Sequence, residues 1–501
     1  MKYFVFIIFL ISFFISGFRP IQAQTEDEFR KQFQNEFTQY SDTQETKFTK
    51  YLEEQDKDFI VFLKMDWKKY PIEYTGVKYK KPKPANIPVA KTIPLSLQQT
   101  GTEETKISLP SLPLLQPPVS DSNYNSSSPH PIQQKSGQKH SLSFFNHKLT
   151  LNLEPSIKDI PHKKGTKEDI TTFWKLAASA NHRPLIEQLN NYHKHLLLGD
   201  WGLMLLAQHV AQICYPKDKN NRTLLTWFLL SKADLPCKLG YDNNQMVWLL
   251  FPVKQFVFQA AFFTFNKTKY YHISLDGNKT KPGALFSYSS TYPSSRNFID
   301  LQITRWPRFQ KNARGKLLEF SSGGKTHKIK IKINLNHIAF VKHFPQIQLS
   351  NYLKTPVMSQ MGDSLLIQLA LLIKDQVERD AINTLLHFTH QAFSYKTDKE
   401  QFGYEKFFFP EETLFYPFSD CEDRSILFSY LVRKLTGLPV IGIDYPGHIA
   451  TAVLFSDTIP GRKVKFNGKN YTICDATYIG SVVGMEQKGM DKLPKKIISA
   501  E

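Results

Sequence analysis

Prolines crowd residues 71–150 (Pro82, Pro84, Pro88, Pro94, Pro110, Pro113, Pro117, Pro118, Pro129, Pro131), and no other feature constrains the chain so strongly. Each one fixes φ and removes a backbone donor, so no regular helix or ladder can run through the stretch. Ser and Asn runs such as Asn125-Ser-Ser-Ser128 leave little apolar surface for a core. Residues 71–150 therefore read as an extended tether. The tether divides a chain of 501 residues, too long for one ordinary domain, into separately folding parts. Elsewhere the composition is globular, with 41% hydrophobic and 22% charged residues.

Upstream of the tether lie two segments. In residues 1–24, Lys2 precedes an apolar run from Tyr3 to Phe18, and Arg19-Pro-Ile-Gln-Ala23 offers a small residue for cleavage. The run is shorter than the roughly 20 residues that span a membrane. A signal peptide is the reading, with an uncleaved anchor as the alternative. No later segment is long and apolar enough to span, so the expected location is the bacterial periplasm, the cell envelope or the exterior. Residues 25–70 read as one amphipathic helix with an eleven-residue repeat: Phe37-Thr-Gln-Tyr40, Phe48-Thr-Lys-Tyr51 and Phe59-Ile-Val-Phe62. That period is about 3.67 residues per turn, which keeps the aromatics on one stripe. Such a stripe calls for cover, from the chain's own body or from a helix-mediated partner.

The formal charge is +19, or +17 once Lys2 and Arg19 leave with the leader. This surplus suits anionic envelope polymers, lipid head groups or acidic proteins, and equally a solvated basic surface. No nucleic-acid-binding motif is present. Four cysteines do not make a disulfide scaffold, and if Cys421 is a free nucleophile the one bridge to entertain is Cys214–Cys237.

Beyond the tether the pattern is α+β. Residues 151–349 read as a mixed middle domain. Thr166 and Asp169 form a capping pair before Phe173 and Trp174. Further helices run over Leu185–Tyr192 and Trp201–Cys214, and strands fill 245–345. Gly323-Gly324 marks a hairpin turn before the alternating Lys328–Leu335. Helices at Leu365–Ile373 and Val377–Phe393 open the last domain, 350–501.

That domain carries the chemistry. Cys421 follows Ser419-Asp420 and opens an apolar-periodic run through Ile426, Leu427, Leu431 and Leu435, stopped by Gly437 and Pro439. The thiol thus falls in a first helical turn, where free N–H groups favour its charged form. His448 begins a strand, and Asp475 ends another, Tyr471–Cys474. A nucleophile on a helix end with base and orienter on neighbouring strands is a triad arrangement. Cys474, next to Asp475, reads as core, while Tyr416 and Tyr478 are cleft-lining or packing residues.

These features resemble the transglutaminase-like superfamily of papain-type cysteine enzymes. The match lies in Cys at a helix start, Gly437-Leu-Pro439, Gly-His448, Asp475-Ala-Thr477 and the lead-in His390-Gln-Ala-Phe-Ser-Tyr395, with gaps of 27 and 27 residues between Cys421, His448 and Asp475. It covers about residues 350–480. It implies acyl-thioester chemistry on peptide or glutamine side-chain amides, hydrolytic more readily than cross-linking. The alternative is a non-enzymatic envelope scaffold or binding protein. Asp420, Glu422 and Asp423 flank the nucleophile and work against its charged form. Capping by Asp420, pairing with Arg424, or a Ca²⁺ ion would offset them, and the Asp-Cys-Glu-Asp string is similar to that of bacterial transglutaminase-like cysteine proteinases in which calcium is implicated.

An offset of 203 residues lays Leu224–Pro236 over Leu427–Pro439 and Met246–Phe251 over Ile449–Leu454. Asp218 then stands under Cys421, and Gln245 under His448. Either the middle domain is a degenerate transglutaminase-like copy or the match is a coincidence of apolar patterning.

Overall fold

A computed structural model describes residues 26–76, 84, 86–98, 104–109, 138–161, 164–356, 359–493 and 495–499. The leader expected over 1–24 lies outside them, as do the prolines from Pro110 to Pro131. Among the described residues no helix is long and apolar enough to cross a membrane. The architecture is α+β.

Helix α1 (Glu26–Leu63) is unbroken through Tyr51, which keeps an eleven-residue spacing at three turns. Phe33, Phe37, Tyr40 and Tyr51 are exposed on it. It does not reach residue 70 as expected. The Trp67 indole donates to the Leu63 carbonyl (3.0 Å), and Lys68–Tyr70 leaves the helix to pair antiparallel with Leu285–Ser287.

The expected tether is structured at both described ends. Strands β1 (Gln138–Phe144) and β2 (His147–Leu153) form a hairpin inside it, turned by Phe145 and Asn146 at φ 48° and 60°. Leu142, Phe144, Leu149, Leu151 and Leu153 alternate into the core. Each such side chain stabilises by about 1.5–3 kcal/mol on full burial. Pro84, residues 86–90 and residues 104–107 are laid against the last module instead of hanging free. Thr105 N donates to Asp457 Oδ2 (2.6 Å), Glu378 N to the Thr105 carbonyl (2.9 Å), and Glu104 pairs with buried Arg379 at 3.3 Å.

In the middle module, helices α2 (Lys167–Ser179), α3 (Arg183–His195), α4 (Gly199–Cys214) and α5 (Lys219–Lys232) precede strands β3 (Lys238–Tyr241), β4 (Val247–Pro252), β5 (Ala261–Phe265), β6 (Thr268–Tyr271) and β7 (Leu285–Ser287). Thr166 caps α2, accepting from Asp169 N at 3.2 Å. Cys214 and Cys237 are free, and burial pushes both thiols up to about 12.

The last module opens earlier than residue 350. Hairpin β8 (Ala313–Ser322) and β9 (Lys325–Asn334), turned by Gly323-Gly324, puts Leu318, Phe320, Ile329, Ile331 and Ile333 into one core with α6 (Ser359–Ile373), α7 (Glu378–Gln391) and α8 (Cys421–Thr436). Strands β10 (Val440–Tyr445), β11 (His448–Val453), β12 (Lys463–Phe466), β13 (Lys469–Cys474) and β14 (Lys496–Ser499) follow. Alternate residues face two clusters: Val440, Val453 and Cys474 join the helices, while Ile441, Ile443, Ala450, Ala452 and Ile473 form the other.

The two modules share one order of elements. Each runs hairpin, helices, then a helix leading into an antiparallel sheet, ordered β7-β3-β4-β6-β5 in the first, with Lys68–Tyr70 and Glu73–Tyr74 added at its two edges, and β14-β10-β11-β13-β12 in the second. The register corrects the residue pairing read from a constant offset. Counted from the helix starts, Lys219 after N-cap Asp218 takes the place of Cys421 after N-cap Asp420, one residue from the pairing with Asp218. Tyr241 pairs with Val247 and Asp444 with Ile449, so one extra residue in the middle hairpin puts Met246, not Gln245, at the place of His448. Gln245 (φ 59°) matches Gly447 (φ 82°) instead. Continuing the β4–β6 register, Ser274 falls where Asp475 stands.

Candidate active site

Each triad residue sits at an element junction. Cys421 is the first residue of α8, and the two-residue turn Pro446-Gly447 closes the Tyr445–His448 pair, so His448 is the first residue of β11. Pro446 presets one φ, while Gly447 takes a left-handed one that a side chain would strain. Asp475 follows β13, where its Oδ1 accepts from Thr477 N (3.0 Å) and Thr477 Oγ1 (2.9 Å) in an Asx turn.

His448 Nε2 lies 2.9 Å from Asp475 Oδ2. Among the described residues Nδ1 has no hydrogen-bond partner at ordinary distance, and the Cys421 side chain acts on the ring. Burial pushes the imidazole down, but the Asp475 carboxylate and then Cys421 outweigh it and hold its pKa well above 6.5. Burial likewise works to raise the Asp475 carboxyl, yet His448, Thr477 and Gln487 hold it at about 2. The pair is therefore an imidazolium–carboxylate pair at neutral pH. All three residues expected from the sequence are thus brought together.

Other groups around the triad were not singled out from the sequence. Gln487 Nε2 donates to Asp475 Oδ2 at 2.9 Å, from a segment fixed by its neighbour: Glu486 accepts from Tyr445 Oη (2.8 Å) and Arg462 (3.1 Å). His390 Nε2 meets the Asp475 carbonyl at 3.0 Å, and burial pushes that ring down to about 4. The Tyr395 hydroxyl lies 3.9 Å from Cys421 Sγ, placed there by the parallel pairing of Ser394-Tyr395 with Phe418-Ser419. Only the lead-in His390–Tyr395 hinted at two of these. Tyr416 stacks on Phe408 (4.9 Å) as packing, and Tyr478 N donates to the Asp475 carbonyl (3.3 Å). Cys474 lies in the core, its thiol pushed up by burial.

The acids beside the thiol are handled differently from expectation. Arg424 feels the charges of Asp420 and Asp423, but its hydrogen bonds go elsewhere: it donates to Ser419 Oγ (3.1 Å) and to the carbonyls of His390 (3.1 Å) and Phe393 (2.6 Å). Burial brings its pKa down to about 10. Asp420 is the N-cap of α8, in a capping box whose other half is Asp423, which accepts from Asp420 N (3.2 Å) and also from Phe408 N (2.9 Å). Arg424→Met will leave two buried carbonyls unpaired and cost about 3 kcal/mol or more, read as a lowered thermal midpoint.

Buried Asp398, Asp420 and Asp423 bring carboxylate oxygens within 4.8 Å of one another. Asp398 thus takes the place that Glu422 was expected to hold. Three carboxylates are a hard-oxygen donor set that suits Ca²⁺.

No family model matches the chain, and neither a curated protein nor a solved structure matches it.

Proposed function

We propose that the last module is a transglutaminase-like, papain-type cysteine enzyme, exported to the periplasm or cell envelope, acting on peptide or glutamine side-chain amides. The observation that carries this reading is the His448 ring, tied to Asp475 through Nε2 with Nδ1 left to the Cys421 side. Cys421 sulfur attacks the amide carbonyl carbon as the thiolate. The C–N bond breaks, and ammonia or an amine leaves with a proton from His448. His448, now neutral, takes a proton from water, whose oxygen attacks the thioester carbon; the C–S bond breaks to give the carboxylic acid and restore the Cys421 thiolate beside protonated His448. An amine in place of water gives cross-linking; hydrolysis is the expected outcome. Asp475 holds the ring oriented through both steps.

Asp398, Asp420 and Asp423 would hold Ca²⁺, whose charge would offset the acids beside the thiol. The middle module is read as a non-catalytic sibling: Lys219, Met246 and Ser274 supply no thiolate, imidazole or carboxylate at the matching places. That sibling is the observation favouring the second reading, a non-enzymatic envelope scaffold. Labelling by a thiol-directed activity probe separates the two. The enzyme reading expects labelling that prior iodoacetamide blocks and Cys421→Ala lacks; a scaffold gives none beyond background.

A further inference from the structure

The triad is sealed: Cys421, His448 and Asp475 are 0%, 2% and 2% exposed. Part of what lies against it is the chain's own upstream segment. The Pro84 carbonyl accepts from the Tyr395 hydroxyl at 3.0 Å, the same hydroxyl that touches Cys421 Sγ. Further along, Val89 bridges Ile479 in parallel: Ile479 N donates to the Pro88 carbonyl (2.9 Å), and Ala90 N donates to the Ile479 carbonyl (2.8 Å). Ile479 lies just past Asp475 and Thr477. The segment thus runs from the thiol side of the triad to the carboxylate side. Its contacts there are main-chain ones, and both prolines contribute carbonyls, so their missing N–H groups cost nothing. Downstream, residues 104–109 are fastened by Asp457, Glu378 and Arg379, which keeps the strap at high local concentration.

We propose that the groove between Tyr395 and Ile479 is the substrate groove, built for an extended, proline-tolerant peptide held by its backbone, and that Pro84 and residues 86–90 occupy it in cis as a strap. The proposal rests on the acyl-transfer reading of the triad. Pairing to Ile479 is strand addition, in which the main chain gives affinity and leaves side chains to set selectivity. The Tyr395 hydroxyl holds a peptide carbonyl beside the thiol, as an acyl substrate requires. Substrate must displace the strap before Cys421 is reached.

The test compares iodoacetamide alkylation of Cys421, followed by peptide mass spectrometry, in the full chain, in Ala90→Pro and in a chain lacking residues 84–90. Ala90→Pro removes the N–H that bonds Ile479. Both variants are expected to react about ten-fold faster or more. A synthetic peptide spanning residues 82–92 is expected to slow the deleted chain again. Equal rates in all three proteins, or no effect of the peptide, overturn the proposal. Buried Cys214, Cys237 and Cys474 report unfolding: if the deletion exposes them, Ala90→Pro and Tyr395→Phe carry the comparison. Faster alkylation without any amide hydrolysis would sink the enzyme reading and leave the strap standing.

Discussion

Alanine at Cys421 will remove amide hydrolysis, with kcat/KM falling on the order of 10⁴-fold or more. The covalent route needs a sulfur at the start of α8, and the other three thiols cannot stand in. Cys474 is committed to the core, while Cys214 and Cys237 belong to the middle module with thiols pushed up to about 12. The fold should survive the change. The substitution deletes one buried atom at a helix start, a loss of about 1 kcal/mol. Unchanged thermal unfolding beside abolished turnover is the expected pattern; retained turnover would place the chemistry elsewhere.

Asp475→Asn will lower turnover by roughly 10²–10⁴-fold while leaving the fold in place. In the native chain His448 is protonated through neutral pH because the Asp475 charge overcomes burial. Asparagine removes that charge and leaves burial, which acts downward, opposed by Cys421 alone, so the imidazole will titrate lower than in the native chain. The sign follows directly. The native group's folded pKa is raised, so its contribution to stability is full below 6.5 and is lost as pH rises through the folded value. The proton for the departing amine is lost over the same window. In Asp475→Asn the alkaline limb of activity moves down. Imidazole nitrogen shifts recorded against pH check this, and an unmoved titration would contradict the Asp475–His448 coupling.

How far the site was legible depended on where each residue gets its position. Cys421, His448 and Asp475 sit at junctions whose signals are local: a Gly437 stop, a Pro446-Gly447 turn, a Thr477 Asx turn. Gln487 and Asp398 reach the site only through tertiary packing, and nothing near them in sequence marks it; for His390 the one signal was the lead-in to Tyr395. Arg424 misled because charge proximity along the chain suggested ion pairing, whereas α8 aims its guanidinium at the carbonyls ending α7.

The tether was misread for a related reason. Proline forbids a regular ladder, but Pro84, residues 86–90 and residues 104–107 use single bridges, accepting carbonyls and one buried ion pair, none of which needs regularity. The hairpin at 138–153 did carry a period-two pattern, His147-Lys-Leu-Thr-Leu-Asn-Leu153, and was hidden only by where the tether was ended. The offset of 203 holds from the Leu-Pro turn into the first hairpin strand but is 202 at the helix starts and again past the one inserted hairpin residue, which helix caps and strand register show and apolar spacing does not.

The central claim is that Cys421 forms an acyl-thioester with His448 as its proton carrier. An acyl-peptide p-nitrophenyl ester added to the full chain and to the strap-deleted chain, then quenched in acid, tests it by intact mass and peptide mapping. The expected result is one acyl mass increment per chain, mapped to Cys421, removed by hydroxylamine, larger in yield without the strap and absent in Cys421→Ala. No adduct in either chain, or an adduct mapped to another residue, would contradict the account.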